Sequence, residues 1–162
     1  MDIYLTATVQ APSGEPMVVP EGVDVRPISA ADLNAVAELY RRAYGLGADA
    51  LGDAVAEMAS AFDGTWGALW PDASPVAWIG PTPVAVVATV RRPVMEDAPR
   101  CPWLIEVFTD PAHRRASLAR TLLRAACTVI ARAGEERVGL TVDMDNTPAV
   151  RLYRSLGFTE GD

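Results

Sequence analysis

Ile3, Leu5, Ala7 and Val9 alternate with Tyr4, Thr6 and Thr8 at the start of the chain, the period-two pattern of a half-buried strand over residues 2–9. A flexible connection containing Pro12, Gly14 and Pro16 leads to a second short strand, Val23 to Arg26. Ser29, with Asp32 three positions on, predicts the N-cap of a helix whose apolar stripe is Leu33, Val36, Ala37, Tyr40 and Ala43/Tyr44, ended by Gly45 and Gly47. Leu51, Val55, Met58 and Phe62 recur at helical spacing and predict a second helix that stops at Asp63-Gly64. From Thr65 to Arg92 the residues are β-rich and cut by prolines, which predicts two antiparallel strands joined near Gly80-Pro81. A loop from Pro93 to Pro102 precedes an apolar central strand, Trp103 to Thr109. A helix after Ser117 is expected to bury Leu118, Leu122, Ala125, Val129 and Ala133, show Arg120, Arg124 and Arg132 to solvent, and end at Gly134. Val138, Leu140 and Val142 form another strand, and Thr147-Pro148 opens a last helix through Leu156, closed by Gly157.

This order predicts a mixed α/β sheet with helices on both faces. At 162 residues, half of them hydrophobic, the chain has the length of one domain and enough apolar material for one core. Residues 1–22 read as an N-terminal strand and linker ahead of a domain over 23–162. No run of about 18 apolar residues and no signal-like N-terminus occurs, so no membrane partner and a cytoplasmic location are expected. The net charge of −7 argues against a nucleic-acid partner. Two cysteines, Cys101 and Cys127, and one histidine, His113, argue against a disulfide framework or a structural zinc, and no metal is expected. All 14 basic residues are arginine, so no lysine is available for self-acylation.

Chemistry concentrates in the last third. After the central strand come Asp110-Pro111 and then Arg114-Arg115-Ala116-Ser117-Leu118-Ala119. Small residues at a helix start leave unsatisfied N–H groups accessible, and the helix dipole favours an anion there, so the segment is a pyrophosphate site or a tightly packed strand–helix turn. About thirty residues later stand Asn146, Ala149, Leu152, Tyr153, Gly157 and Phe158. Together the two segments resemble the GNAT superfamily of N-acetyltransferases. Arg114 to Ala119 is similar to its acetyl-CoA motif, Arg or Gln, two residues, Gly, one residue, Gly or Ala, with Ser117 in place of the first glycine. Asn146 to Phe158 meets its later motif in full.

The resemblance implies a mostly antiparallel GNAT-like sheet and acetyl-CoA as co-substrate, with a primary amine as acceptor. It implies a splay between the central strand and the 138–142 strand, with freed N–H groups at Val107, Phe108 and Thr109 facing the acetyl oxygen, and Asn146 bonding the pantetheine arm or capping the last helix. Tyr153 is implied as the acid that protonates the departing thiolate. Glu106, an acid inside an apolar strand, is the candidate general base, with Asp143 and Asp145 as alternatives. Tyr40, Tyr44, Trp66, Trp70 and Trp78 line an aromatic pocket or belong to the core. The family usually continues through one or two more strands beyond the final Gly-Phe, whereas this sequence has four residues after Phe158. The extra N-terminal strand is the expected substitute, in its own subunit or, in a homodimer, in a neighbour. An alternative function is a catalytically silent acyl-CoA-binding or sensor module of the same fold.

Overall fold

Residue 5 is where the sheet and the core meet: Leu5 is fully buried in β1 (Asp2–Thr8), between two other strands. The computed structural model describes residues 1–10 and 17–160 and, of Arg115 and Ala116, the backbone alone. The connection inferred at Pro12 to Pro16 lies outside the described residues. The other strands are β2 (Asp24–Pro27), β3 (Pro75–Ile79), β4 (Thr82–Val90), β5 (Trp103–Thr109), β6 (Arg137–Asp143) and β7 (Thr159–Glu160). They form one sheet in the order β2-β3-β4-β5-β6-β1-β7, in which only β5 and β6 run parallel. β1 pairs antiparallel with β6 along its whole length, from Asp2↔Asp143 to Thr8↔Arg137, and also pairs with β7. The N-terminal strand is thus built into the sheet of its own subunit.

Helices α1 (Leu33–Ala43) and α2 (Leu51–Phe62) cover one face over β3–β5, while α3 (Leu118–Arg132) and α4 (Thr147–Ser155) cover the other. α1 follows a 3-10 turn held by the expected capping box, in which Ser29 Oγ accepts from Ala31 N–H and Asp32 accepts from Ser29 N–H. α3 is rotated from the expected face. It buries Leu118, Leu122, Leu123, Ala126 and Ile130, whereas Ala125 and Val129 are half-buried and Ala133 is exposed. Both stripes have helical spacing, and the sheet accepts the one with the larger side chains. α2 likewise buries Ala54, Met58 and Ala61 and leaves Leu51 exposed.

Two local features position the site. The first is a β-bulge: β4 and β5 pair through Ala88↔Glu106 and then Thr89↔Leu104, leaving Ile105 as an extra residue in β5. The second is a pin where β5 and β6 meet. The Trp103 ring lies over Gly139, where a Cβ would stand 2.0 Å from the ring, so only glycine fits. Trp103 Nε1 donates to Thr141 Oγ1 at 3.3 Å, and Tyr4 of β1 packs edge-on against the indole at 5.4 Å. Pairing between β5 and β6 is confined to Trp103↔Gly139 and Leu104↔Leu140. Beyond Leu104 the strands part.

Candidate active site

The parting of β5 and β6 makes a wedge through the sheet. A cavity of ≈ 230 Å³ at its mouth is lined by Tyr44, Glu106, Thr141, Asp143, Asn146 and Tyr153, among others. It adjoins a cleft of ≈ 840 Å³ that runs along the N-terminal ends of α3 and α4 past Thr109, Arg114, Ser117 and Arg120. That volume suits a cofactor-sized ligand.

Backbone polarity in the wedge follows from strand alternation. Asp110 N–H bonds Val84 O on β4 at 2.8 Å, and Phe108 pairs with Val86 in the same phase. The N–H groups of Thr109 and Val107 therefore point away from β4, into the space that β6 has vacated. The Phe108 N–H faces β4 instead, so this residue meets the cleft through its ring. Of the three amides inferred from sequence, two are aimed at the wedge.

At the wide end the chain turns through a 3-10 segment, Pro111–Ala116, capped by Asp110, whose Oδ1 accepts from Ala112 N–H at 3.0 Å. Asp110 is fixed in turn by Arg42 of α1, at 3.1 Å. Ser117 then takes the left-handed conformation, φ 59° and ψ 22°, the only non-glycine described residue with positive φ. The first intrahelical bond of α3 runs from Thr121 N–H to Ser117 O, which leaves the N–H groups of Leu118, Ala119 and Arg120 outside the helical ladder at the cleft. Glycine is the easy residue at such a backbone position, because an L side chain there costs roughly 1–2 kcal/mol. Replacing Ser117 by Gly is expected to stabilise the fold by about 0.5 kcal/mol, since glycine's greater unfolded-state freedom offsets roughly 0.5–1 kcal/mol of the relieved strain. Chemical denaturation of the two proteins checks this.

Arg114 lies on the rim of the cleft, where its guanidinium donates to the Ala43 carbonyl at the end of α1. The Arg115 side chain lies outside the described residues. Arg120, assigned to the solvent face from sequence, instead borders the cleft and donates to Ser155 Oγ of α4 at 2.8 Å. Its position directly after the small-residue motif was the available clue. Asn146 caps α4, accepting from Ala149 N–H at 3.3 Å through Oδ1, and also lines the wedge.

Glu106 and Tyr153 face each other across the wedge from β5 and α4. Burial and the neighbouring Glu57 carboxyl push Glu106 up to about 8. Tyr153 is buried, with its ring 5.9 Å from Phe158, and burial together with the Glu106 charge pushes its hydroxyl up to about 12. Asp143, an alternative base from sequence, accepts from Asp145 N–H at 3.0 Å, which holds its carboxyl below the usual range. His113 sits in the 3-10 turn, with its N–H bonded to Asp110 O. Of the aromatic residues, Tyr44 borders the cleft with Phe108, and Tyr40 packs against both, 4.6 Å from Tyr44. Trp70 and Trp78 are buried in the core, and Trp66 is partly exposed beside Ser60. Glu57 on α2 had no signal in the sequence, because its relation to Glu106 exists only after α2 packs on α1.

A mixed sheet opened between two parallel strands, with a helix N-terminus at the wide end, is the architecture that the sequence motifs implied. The chain belongs to the acetyltransferase (GNAT) family, whose sequence pattern matches residues 33–158. It is similar to a mycothiol acetyltransferase of Streptosporangium roseum, 43% identical over 56 residues, which are 35% of this chain and 17% of that protein. Its fold matches that of a GCN5-related N-acetyltransferase from Sphaerobacter thermophilus with a TM-score of 0.71 and 22% identity, over 99% of this chain and 48% of the other. It also matches an aminoglycoside N-acetyltransferase solved in complex with CoA, with a TM-score of 0.65 and 18% identity over 90% and 94% of the two chains. The chain thus spans less than a fifth of the mycothiol acetyltransferase and about half of the Sphaerobacter protein.

Proposed function

We propose that the protein is an acetyl-CoA-dependent N-acetyltransferase that acylates a primary amine on a small molecule or peptide. The observation that carries this reading is the wedge itself, where a half-buried carboxyl, two outward-facing amides and a buried phenol converge beside a helix N-terminus. The free N–H groups of Leu118, Ala119 and Arg120, with the backbone at Ala116 and Ser117 turning sharply beneath them, suit the pyrophosphate of the co-substrate. Arg114, and Arg115 beside it in sequence, add charge-assisted contacts. The pantetheine arm occupies the wedge and bonds the exposed edge of β5 and the Asn146 amide. That the aminoglycoside enzyme of this fold was solved with CoA supports the assignment.

In the transfer step, ionised Glu106 takes a proton from the amine, directly or through a water, as the nitrogen attacks the thioester carbon. The carbonyl oxygen becomes an oxyanion facing the Val107 N–H, a preorganised donor of a kind worth about 10²–10³-fold in rate. Collapse breaks the C–S bond, and the Tyr153 hydroxyl delivers its proton to the sulfur. The products are the amide and free CoA, and Tyr153 recovers a proton from the Glu106 side or from solvent. Holding amine and thioester together across the sheet supplies much of the remaining acceleration. Acetyl-CoA places the reaction in the cytoplasm, where both cysteines, free in this fold, stay reduced.

Release of CoA thiol, followed colorimetrically across a panel of primary amines at fixed acetyl-CoA, tests this reading. Amine-dependent release supports it. Saturable acetyl-CoA binding without release for any amine class overturns it in favour of a silent acyl-CoA-binding module.

A further inference from the structure

Charge is unevenly spread along the chain. Residues 111–134 and 146–159, which contain α3 and α4, hold seven of the 14 basic residues and no Asp or Glu, although the whole chain carries a net charge of −7. Two of these arginines, Arg120 and Arg124, stand one turn apart on α3, about 6 Å along its axis, and both meet α4. Ser155 of α4 accepts from Arg120 at 2.8 Å and donates to Leu152 O at 2.7 Å, which holds the Arg120 guanidinium across the gap between the helices. On one side of this contact lies the cofactor-sized cleft that Arg120 borders. On the other is a second cavity, of ≈ 270 Å³, bordered by Ser155 and Arg124 and, on its apolar side, by Leu123, Leu156 and Phe158. Arg124 is exposed there and has no hydrogen-bond or ion-pair partner among the described residues. No carboxylate is among the described residues that line either cavity. Like charges one turn apart on a helix repel, and here nothing negative in the lining offsets them. A phosphate would, since guanidinium N–H groups match its oxygens in geometry and charge.

We propose that Arg120 and Arg124, with Ser155, form a subsite for the 3′-phosphate of the CoA nucleotide, with the apolar side of the second cavity beneath the adenine. This rests on the acyl-CoA reading of the cleft. The 5′-diphosphate and the 3′-phosphate hang from one ribose, so a nucleotide whose diphosphate meets the N–H groups of Leu118 to Arg120 brings its 3′-phosphate to side chains of the same and the next turn of α3. The consequence is a choice of acyl donor. A thioester on the phosphopantetheine arm of a carrier protein has no 3′-phosphoadenosine, so the subsite favours free CoA thioesters over carrier-bound ones.

The test is titration calorimetry of the full chain with CoA and with 3′-dephospho-CoA. The parent protein is expected to bind CoA about 10-fold or more tightly than the dephospho form, the fold-change of one hydrogen bond to a charged group. In Arg124→Gln the preference should shrink to about two-fold or less, through weaker binding of CoA with the affinity for dephospho-CoA kept, which also shows that the variant folds. Arg120→Gln should narrow the preference as well. Equal affinity of the parent for the two nucleotides overturns the proposal and leaves the acyl-CoA reading standing, and so does a preference that survives both substitutions. Absence of binding by either nucleotide at millimolar concentration overturns the proposal together with that reading.

Discussion

Glu106→Gln is expected to lower kcat by about 10²–10⁴-fold while raising the melting temperature at pH 9. The two effects have one cause. Folding moves the Glu106 carboxyl from water into the mouth of the wedge, and its pKa rises from 4.5 to about 8. The folded chain therefore binds a proton that the unfolded chain has lost between these values, and stability falls as pH rises through that window. It is fully present below about 4.5 and lost above about 8. At 1.36 kcal/mol per unit the ceiling on this loss is roughly 4–5 kcal/mol, and relaxation around the group leaves a fraction of it. Gln keeps the shape without a charge to bury. The variant should melt close to the parent protein at pH 5 and a few degrees above it at pH 9, by about 2–4 °C per kcal/mol recovered. Calorimetric melts at the two pH values, with steady-state kinetics at pH 9, check both halves. Equal melting at both values would remove Glu106 from the list of buried ionisable groups, and full activity would remove it from the mechanism.

Tyr153→Phe is expected to reduce kcat by about 10²-fold with acetyl-CoA affinity unchanged, the signature of a group that acts when the thiolate leaves. The substitution keeps the ring and its contact with Phe158 and deletes only the hydroxyl. The hydroxyl is pushed up to about 12, so it holds its proton throughout the working range and serves as an acid. A tyrosine that only packs α4 onto the sheet would give a different result, a change in melting of up to ~1 kcal/mol with kcat intact. Single-turnover kinetics separate the two, because chemistry slows in the first case alone.

The sequence made the family legible through residues whose chemistry and spacing are local. Asn146 caps α4, Pro148 lies in its first turn and Gly157 follows its end with a φ of 93°, so a motif spanning one helix could be read without the rest of the fold. Ser29 and Asp32 were legible for the same reason. Elements defined by distant partners were not. β7 is two residues long and exists because β1 pairs with it. The wedge depends on a bulge at Ile105 and on Trp103 lying over Gly139, neither of which leaves a periodic trace. The charge of Glu57 on α2 raises the Glu106 carboxyl of β5 only because tertiary packing brings the two elements near each other. Even the α3 face was ambiguous, since Leu118 and Leu122 belong equally to the stripe through Ala125 and to the one through Ala126.

Thermal unfolding with and without acetyl-CoA tests whether the wedge binds the co-substrate. A ligand at 100 times its Kd adds about 2.7 kcal/mol, which for a domain of this size is a rise of roughly 5–10 °C. That rise, diminished by Arg114→Ala, is the predicted result. An unchanged melting temperature at millimolar acetyl-CoA would contradict the assignment of the wedge as an acyl-CoA site.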